Sequence, residues 1–357
     1  MLQTHPAVFA AGREYQIMVP LERPATVRIL AGKEIFYDES NGIMRSLDTI
    51  HRVSLPMEVL DAAGEYTLLV QPVTERKPYF SVTEPPLAYT YPFRPVPEDN
   101  IRIFQIADAH GRIAGPVRAA RSFGKIDLLI LNGDILDHSG DPSQFLNVYQ
   151  LCSDICGGSR PVVFSRGNHD LRGEYAEKFA DYTPNCLGHT YYSFRAGPLW
   201  GLVLDCGEDK DDDRPEYGHT VACHPFRKKE TAFIDSLIRN KEQEYAEDGV
   251  KHRLVVSHIP FTCIYKEPFD IEHELYRSWV EKLRNHIRPD LMLCGHTHYL
   301  KIVMPGDELD AFGQPCPVII GSKPEEASYT AMGLLLTDHS KEVYFVDDLG
   351  NICRHTI

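Results

Sequence analysis

The residues best suited to chemistry in this chain fall in five short segments: Asp108-Ala-His110, Gly133-Asp134-Ile-Leu-Asp137, Gly167-Asn168-His169-Asp170, Ser257-His258 and Gly295-His296-Thr-His298. Carboxylates, imidazoles and an amide oxygen are the donors that hold divalent first-row cations. Together these segments supply enough of them for two ions. Two cations about 3.5–4 Å apart clamp the oxygens of a phosphoryl group and generate a bridging hydroxide at neutral pH. The set therefore points to hydrolysis of phosphate esters. A single histidine after a strand is most often structural, and Gly-Asn-His-Asp alone also suits an ordinary turn. The ordered recurrence of five segments, most of them just past an apolar run, is what argues for a site.

Those apolar runs are the elements that must position the site. Residues 101–106, 126–131, 161–165, 199–204, 252–257 and 291–294 read as strands, and helical patterns near 116–123, 142–155, 227–240 and 272–287 alternate with them. Such alternation implies βαβ units and a central, largely parallel region. Ligands of open α/β sheets gather at the carboxyl ends of the strands, where the five segments fall. Asp108 and His110 stand two apart, so on extended backbone both side chains point the same way and can grip one ion. His296 and His298 repeat that spacing. Gly133 permits a tight turn before Asp134, whose carboxylate is the natural ligand to share between two ions. Asn168 offers a neutral oxygen, and His258 sits just past its strand. Segments 317–320, 332–336 and 342–346 read as hairpins of a second sheet.

Residues 1–83 differ in style. Short alternating runs at 15–19, 26–30 and 66–70, punctuated by glycine, proline and Asn41-Gly42, predict a small antiparallel β-sandwich domain. Five prolines between 84 and 97 predict a stiff, extended linker over 84–99, followed by a catalytic domain over 100–357.

The balance of 37 Lys and Arg against 51 Asp and Glu, a net charge of −14, disfavours non-specific binding to nucleic acid or to anionic membranes. No apolar run approaches the ~18 residues that span a bilayer. The run 7–11 is too short for an export signal and no basic region precedes it. Nine scattered cysteines read as reduced thiols of a cytoplasmic protein. The acidic stretch 208–213 reads as a solvated loop.

The order D-x-H, G-D-x-x-D, G-N-H-[DE], a lone His and G-H-x-H closely resembles the calcineurin-like metallophosphoesterase superfamily, over about residues 100–323. The resemblance implies a four-layer α/β/β/α sandwich. It implies one metal site of Asp108, His110, Asp134 and His298 and another of Asp134, Asn168, His258 and His296. It casts His169 as the group that protonates the leaving alkoxide, with Asp137 and Asp170 orienting that imidazole. The mixed donors favour Mn²⁺, with Fe²⁺ or Zn²⁺ as alternatives.

Departures from relatives narrow the reading. Related protein Ser/Thr phosphatases carry Arg where this chain has His138, so a phosphate-gripping guanidinium is missing there. Arg166 is the substitute, with a structural salt bridge as the competing role. The N-terminal sandwich looks like that of purple acid phosphatases, which have Tyr in place of Asp137 and Gly in place of His110. A tyrosinate-ligated Fe(III) is therefore not expected. Bacterial cyclic-nucleotide phosphodiesterases share the D-x-H and G-N-H-D forms. The polar segment 206–226, with Tyr217, His219 and His224, either shapes the substrate pocket or is a surface insertion. The expected partner is a small-molecule phosphate ester, monoester or diester. An inactive metal-binding scaffold and a nuclease are the alternatives. No ligand is lost, which disfavours the first, and the acidic charge disfavours the second.

Overall fold

The computed structural model of the protein describes residues 1–263 and 266–357. Its strands are apolar on both faces because both faces are covered. In Ile101–Ile106, Ile101 and Ile103 face one way while Phe104 and Ile106 face the other. In Leu128–Asn132, Leu128 and Ile130 oppose Leu129 and Leu131 in the same manner. These two strands run parallel to each other, and Pro161–Ser165 lies parallel beside the second. A second sheet is built on Leu199–Leu204, His252–Ser257, Leu291–Cys294 and Val318–Ile320, parallel in that order. Tyr192–Ala196 and Lys301–Val303 close its two edges antiparallel.

The sheets face each other through Ile103, Ile130 and Val163 on one side and Val203, Leu254 and Leu293 on the other. Helices Ala114–Phe123 and Leu146–Cys156 cover the outer face of the first sheet. Cys223–Arg239 and His273–Lys282 cover that of the second. The result is the expected α/β/β/α order of layers. Among the described residues no helix is long and apolar enough to cross a membrane.

The N-terminal region is β-rich, as expected, but its strands continue the first sheet. Ala7–Ala11 pairs parallel with Pro161–Ser165 and antiparallel with the long strand Glu14–Ala31, giving one fourteen-stranded sheet. Phe9 packs edge-to-face on Phe164 at 6.4 Å. The reason is burial: all five residues of Ala7–Ala11 are apolar and covered, which a free edge strand could not achieve. The proline-rich stretch is extended, and part of it is a strand. Leu87–Pro92 pairs with the Glu65–Arg76 strand, with Pro92 at its end, where a missing N–H does not break the ladder.

The tail also differs from the sequence reading. Only Val318–Ile320 joins the second sheet. Tyr329–Leu336 pairs with Ile101–Ile106 and extends the first sheet, followed by Lys341–Asp347 and Ile352–Thr356. Alternation shows why: Leu334 and Leu336 enter the inter-sheet core while Tyr329 and Ala331 enter the core under the first helices.

Candidate metal centre

Both sheets deliver strand ends to one place. Asp108 and His110 follow Ile101–Ile106, Asp134 follows Leu128–Asn132, and Asn168 and His169 follow Pro161–Ser165. His258 follows His252–Ser257, and His296 and His298 follow Leu291–Cys294. The ligand atoms of Asp108, His110 and His298 lie within 4.8 Å of one another, as do those of Asp134, His258 and His296. His258 joins the two groups: its Nε2 is 3.2 Å from Asp134 and 3.6 Å from Asp108. Asn168 Oδ1 is 3.1 Å from the Nδ1 of His296. All seven expected ligands are brought together.

Their backbone is not the extended one that the i, i+2 spacing suggested. Asp108, His110, Asp134, His296 and His298 all have φ between 45° and 71°. This left-handed region costs a non-glycine residue on the order of 1–2 kcal/mol, and such strain clusters at functional sites. Asp108 and His110 still share one cluster, by way of a turn. His296 and His298 diverge, one to each cluster, in the division the family resemblance implied. Glycines permit the close approach of the loops. A Cβ on Gly133 would stand 2.5 Å from the His258 ring, and one on Gly167 would collide with the Asp134 carboxylate.

The electrostatics suit a cation. His258 Nδ1–H donates to the Asn132 carbonyl at 2.7 Å, which turns Nε2 toward the two carboxylates. That Nε2 is buried and makes no well-formed hydrogen bond. Burial opposes charge on this ring, but Asp134 and Asp108 outweigh it and push its pKa up to about 10. Burial likewise opposes charge on Asp108 and Asp134, yet His258 holds both below the usual carboxylate range. Burial lowers His110, whereas its hydrogen bond to Asp108 raises His298. Backbone N–H groups of His296 and His169 donate to Asp108 and Asp134 respectively, and the Ser322 hydroxyl donates to Asp108. Two buried carboxylates, four imidazoles and an amide oxygen thus converge on one point, where burial leaves the negative charge only partly offset. This donor set fits divalent cations, which displace the His258 proton on binding.

The remaining expected residues fall in different places. His169 is half-buried beside His110, with ring centroids 4.6 Å apart. Its Nδ1 is 3.2 Å from the backbone carbonyl of Asp137, and the Asp137 carboxylate is near the same two rings. Asp170 does not orient that imidazole. Its buried carboxylate accepts the N–H groups of Gly167 at 2.8 Å and Asp134 at 3.1 Å, and so clamps two ligand loops together. Burial and the neighbouring Asp134 raise its pKa. Arg166 takes the structural role that competed with phosphate contact: it pairs with buried Asp205 at 2.7 Å. The exposed His138 accepts the Gly140 N–H through Nδ1.

Sequence reasoning missed the guanidinium that does approach the centre. Arg172 Nη1 lies 3.0 Å from His169 Nε2, while its Nε and Nη2 each donate to Glu208 at 3.1 Å. Glu208 and Asp209 belong to the acidic stretch read as solvated, but Glu208 is buried and Asp209 Oδ2 is 3.4 Å from His296 Nε2. Tyr217 bonds Glu208 at 3.3 Å, so part of segment 206–226 does wall the site. The available signal was position: Arg172 stands two residues after the Gly-Asn-His-Asp segment.

Comparison with known proteins agrees with this geometry. Residues 101–300 match the family model of the calcineurin-like phosphoesterases. No curated protein matches the chain in sequence. Among solved structures, the purple acid phosphatase PPD1 from yellow lupin (Lupinus luteus) seeds is similar over 100% of this chain and 75% of its own, at 13% identity and a TM-score of 0.59. A dimetal phosphatase from Danio rerio is similar over 72% of this chain and 99% of its own, at 12% identity and a TM-score of 0.48. Wild-type Vps29 complexed with zinc, from Entamoeba histolytica, covers 72% and 98% at 13% identity and a TM-score of 0.33. At these identities the lupin enzyme shares the fold, and nothing further rests on the other two. With more than half of its length matched and the metal-binding donors assembled at one point, the chain belongs to the calcineurin-like phosphoesterase family and is a metallophosphoesterase.

Proposed function

We propose that this enzyme hydrolyses small-molecule phosphate esters, monoesters or diesters, with two divalent cations, Mn²⁺ foremost and Fe²⁺ or Zn²⁺ as alternatives. The observation that carries the reading is the convergence of Asp108 and Asp134 on the unbonded Nε2 of His258. Asp108, His110, Asp134 and His298 would hold one cation, and Asp134, Asn168, His258 and His296 the other. When bound, the pair supplies charge stabilisation to the phosphoryl oxygens and an activated water.

The chain's own residues supply the rest. The Asp137 carbonyl accepts from Nδ1 of His169, which leaves Nε2 facing Arg172. That nitrogen is the proton donor to the leaving oxygen. Arg172, held by Glu208, is the guanidinium that meets the anionic substrate, since Arg166 is committed to Asp205. Binding of the phosphoryl group draws Arg172 onto its oxygens and frees His169 Nε2. Asp170 acts through backbone amides as a positioning residue.

The test is turnover of p-nitrophenyl phosphate and bis(p-nitrophenyl) phosphate by chelator-stripped protein, before and after Mn²⁺ is restored. Metal-dependent cleavage of either is expected, and the ratio of the two rates separates monoesterase from diesterase. No cleavage of either, with two ions bound by elemental analysis, would replace this reading with a binding scaffold.

A further inference from the structure

One cavity reaches the centre and a second lies beside it, and they share no lining residue. One, of about 280 Å³, is lined by His296 and Asp209 and walled by the aromatic rings of Phe261, Phe269, Tyr276 and Phe312. The other, of about 1030 Å³, is lined by Arg172, Glu208 and His138. Arg172 contacts His169, so the second cavity adjoins the proposed proton donor. The leaving oxygen departs toward His169, and its organic group therefore occupies the larger cavity. A group seated in the smaller cavity, beside His296, stays on phosphorus.

The smaller cavity offers a flat group four aromatic rings, with the carboxylates of Asp209, Asp270 and Asp310 also in its lining. A cavity of roughly 150 Å³ lined by apolar side chains holds benzene, so about 280 Å³ accommodates one substituted or fused ring system. Its inner wall is rigid, because Phe261 packs on Tyr276 and Trp279 at 5.3 and 5.4 Å. Its outer rings already carry cations of the protein: Lys210 lies 5.5 Å from Phe269 and Arg277 lies 5.8 Å from Phe312. An aromatic plane can stack on such rings.

Resting on the phosphoesterase reading above, we propose that this cavity seats a planar aromatic group on the non-leaving arm of a phosphodiester. Water adds to phosphorus, the bond to the leaving oxygen breaks, and that oxygen takes a proton from His169. The attacking water returns a proton to the imidazole. The products are an alcohol and a monoester that keeps the aromatic arm.

The experiment uses the full chain loaded with Mn²⁺ and two diesters with one leaving group, phenyl p-nitrophenyl phosphate and methyl p-nitrophenyl phosphate. The phenyl diester is expected to have a kcat/KM at least tenfold higher, mostly through KM. F269A and F312A are each expected to bring the phenyl-to-methyl ratio toward one. Phe269 is 40% exposed, so its truncation leaves no core cavity. In parallel, equilibrium binding of phenylphosphonate and methylphosphonate, followed by calorimetry, needs no turnover. Equal binding of the two phosphonates, or a phenyl preference that survives both substitutions, overturns the pocket assignment. Cleavage of p-nitrophenyl phosphate with neither diester turned over overturns the diester assignment and leaves the phosphoesterase reading standing. Absence of all turnover overturns that reading instead, and the phosphonate comparison still decides the pocket.

Discussion

Asp134 is tightly held in the centre. It is buried and left-handed, one oxygen accepts the His169 N–H, and the other lies 3.2 Å from His258. Asp134→Asn keeps the shape and removes the charge, so metal content measured by elemental analysis is expected to fall by at least one ion per chain. Full occupancy with normal turnover would remove Asp134 from the ligand set. His169 is a different case, since its role is in proton transfer. His169→Ala is expected to retain both ions and to slow esters with poor leaving groups by on the order of 10²-fold or more. Esters with good leaving groups should be slowed much less. Equal losses across a leaving-group series would assign His169 to binding. The seven candidate ligands that the fold brings together were legible from residue type and order. The role of Asp170 was not, because a carboxylate beside a histidine in sequence can equally well turn inward to backbone amides.

At the scale of elements, the helix Cys223–Arg239 carries a buried carboxylate that the reaction does not use. Glu230 accepts the Asp205 N–H at 2.8 Å. Burial, reinforced by the charge of Asp205, holds its carboxyl well above the usual range. In the unfolded chain Glu ionises near pH 4.3. Above that pH the unfolded state has released a proton that the folded state retains, so this group makes stability fall as pH rises. Glu230→Gln keeps the acceptor and removes the titration. Its melting temperature is expected to match the parent near pH 4 and to exceed it at pH 8. A tenfold difference in proton affinity corresponds to about 1.4 kcal/mol, or roughly 2–4 °C. A difference from the parent that does not change between the two pH values would show that the Glu230 carboxyl is not shifted by folding. The central helices and strands were legible because each carries a clear period. The turns after the strands were not, since left-handed φ at Asp and His leaves no compositional trace of the kind glycine does.

For the whole molecule, the decisive contact is the parallel pairing of Ala7–Ala11 with Pro161–Ser165. It makes the first ninety residues part of the sheet that presents Asp108, Asp134 and Asn168. A chain beginning at residue 84 would uncover Val163 and Phe164 and lose buried Val8, Phe9, Tyr15 and Ile17. Such a fragment is expected to lack a cooperative thermal transition and its near-ultraviolet circular dichroism. A fragment that melts cooperatively at the parent's temperature would establish two independent domains. The sequence by itself determined the candidate ligands, the order of the central strands and helices, and the family. Those follow from residue chemistry and from local periodicity, both written in short windows. Only the tertiary structure decided that the ligand turns are left-handed, that Arg172 contacts His169 while Arg166 pairs with Asp205, and that the N-terminal strands belong to the first sheet. Each of these depends on contacts between segments far apart in sequence, where packing and burial, not local pattern, choose the partner.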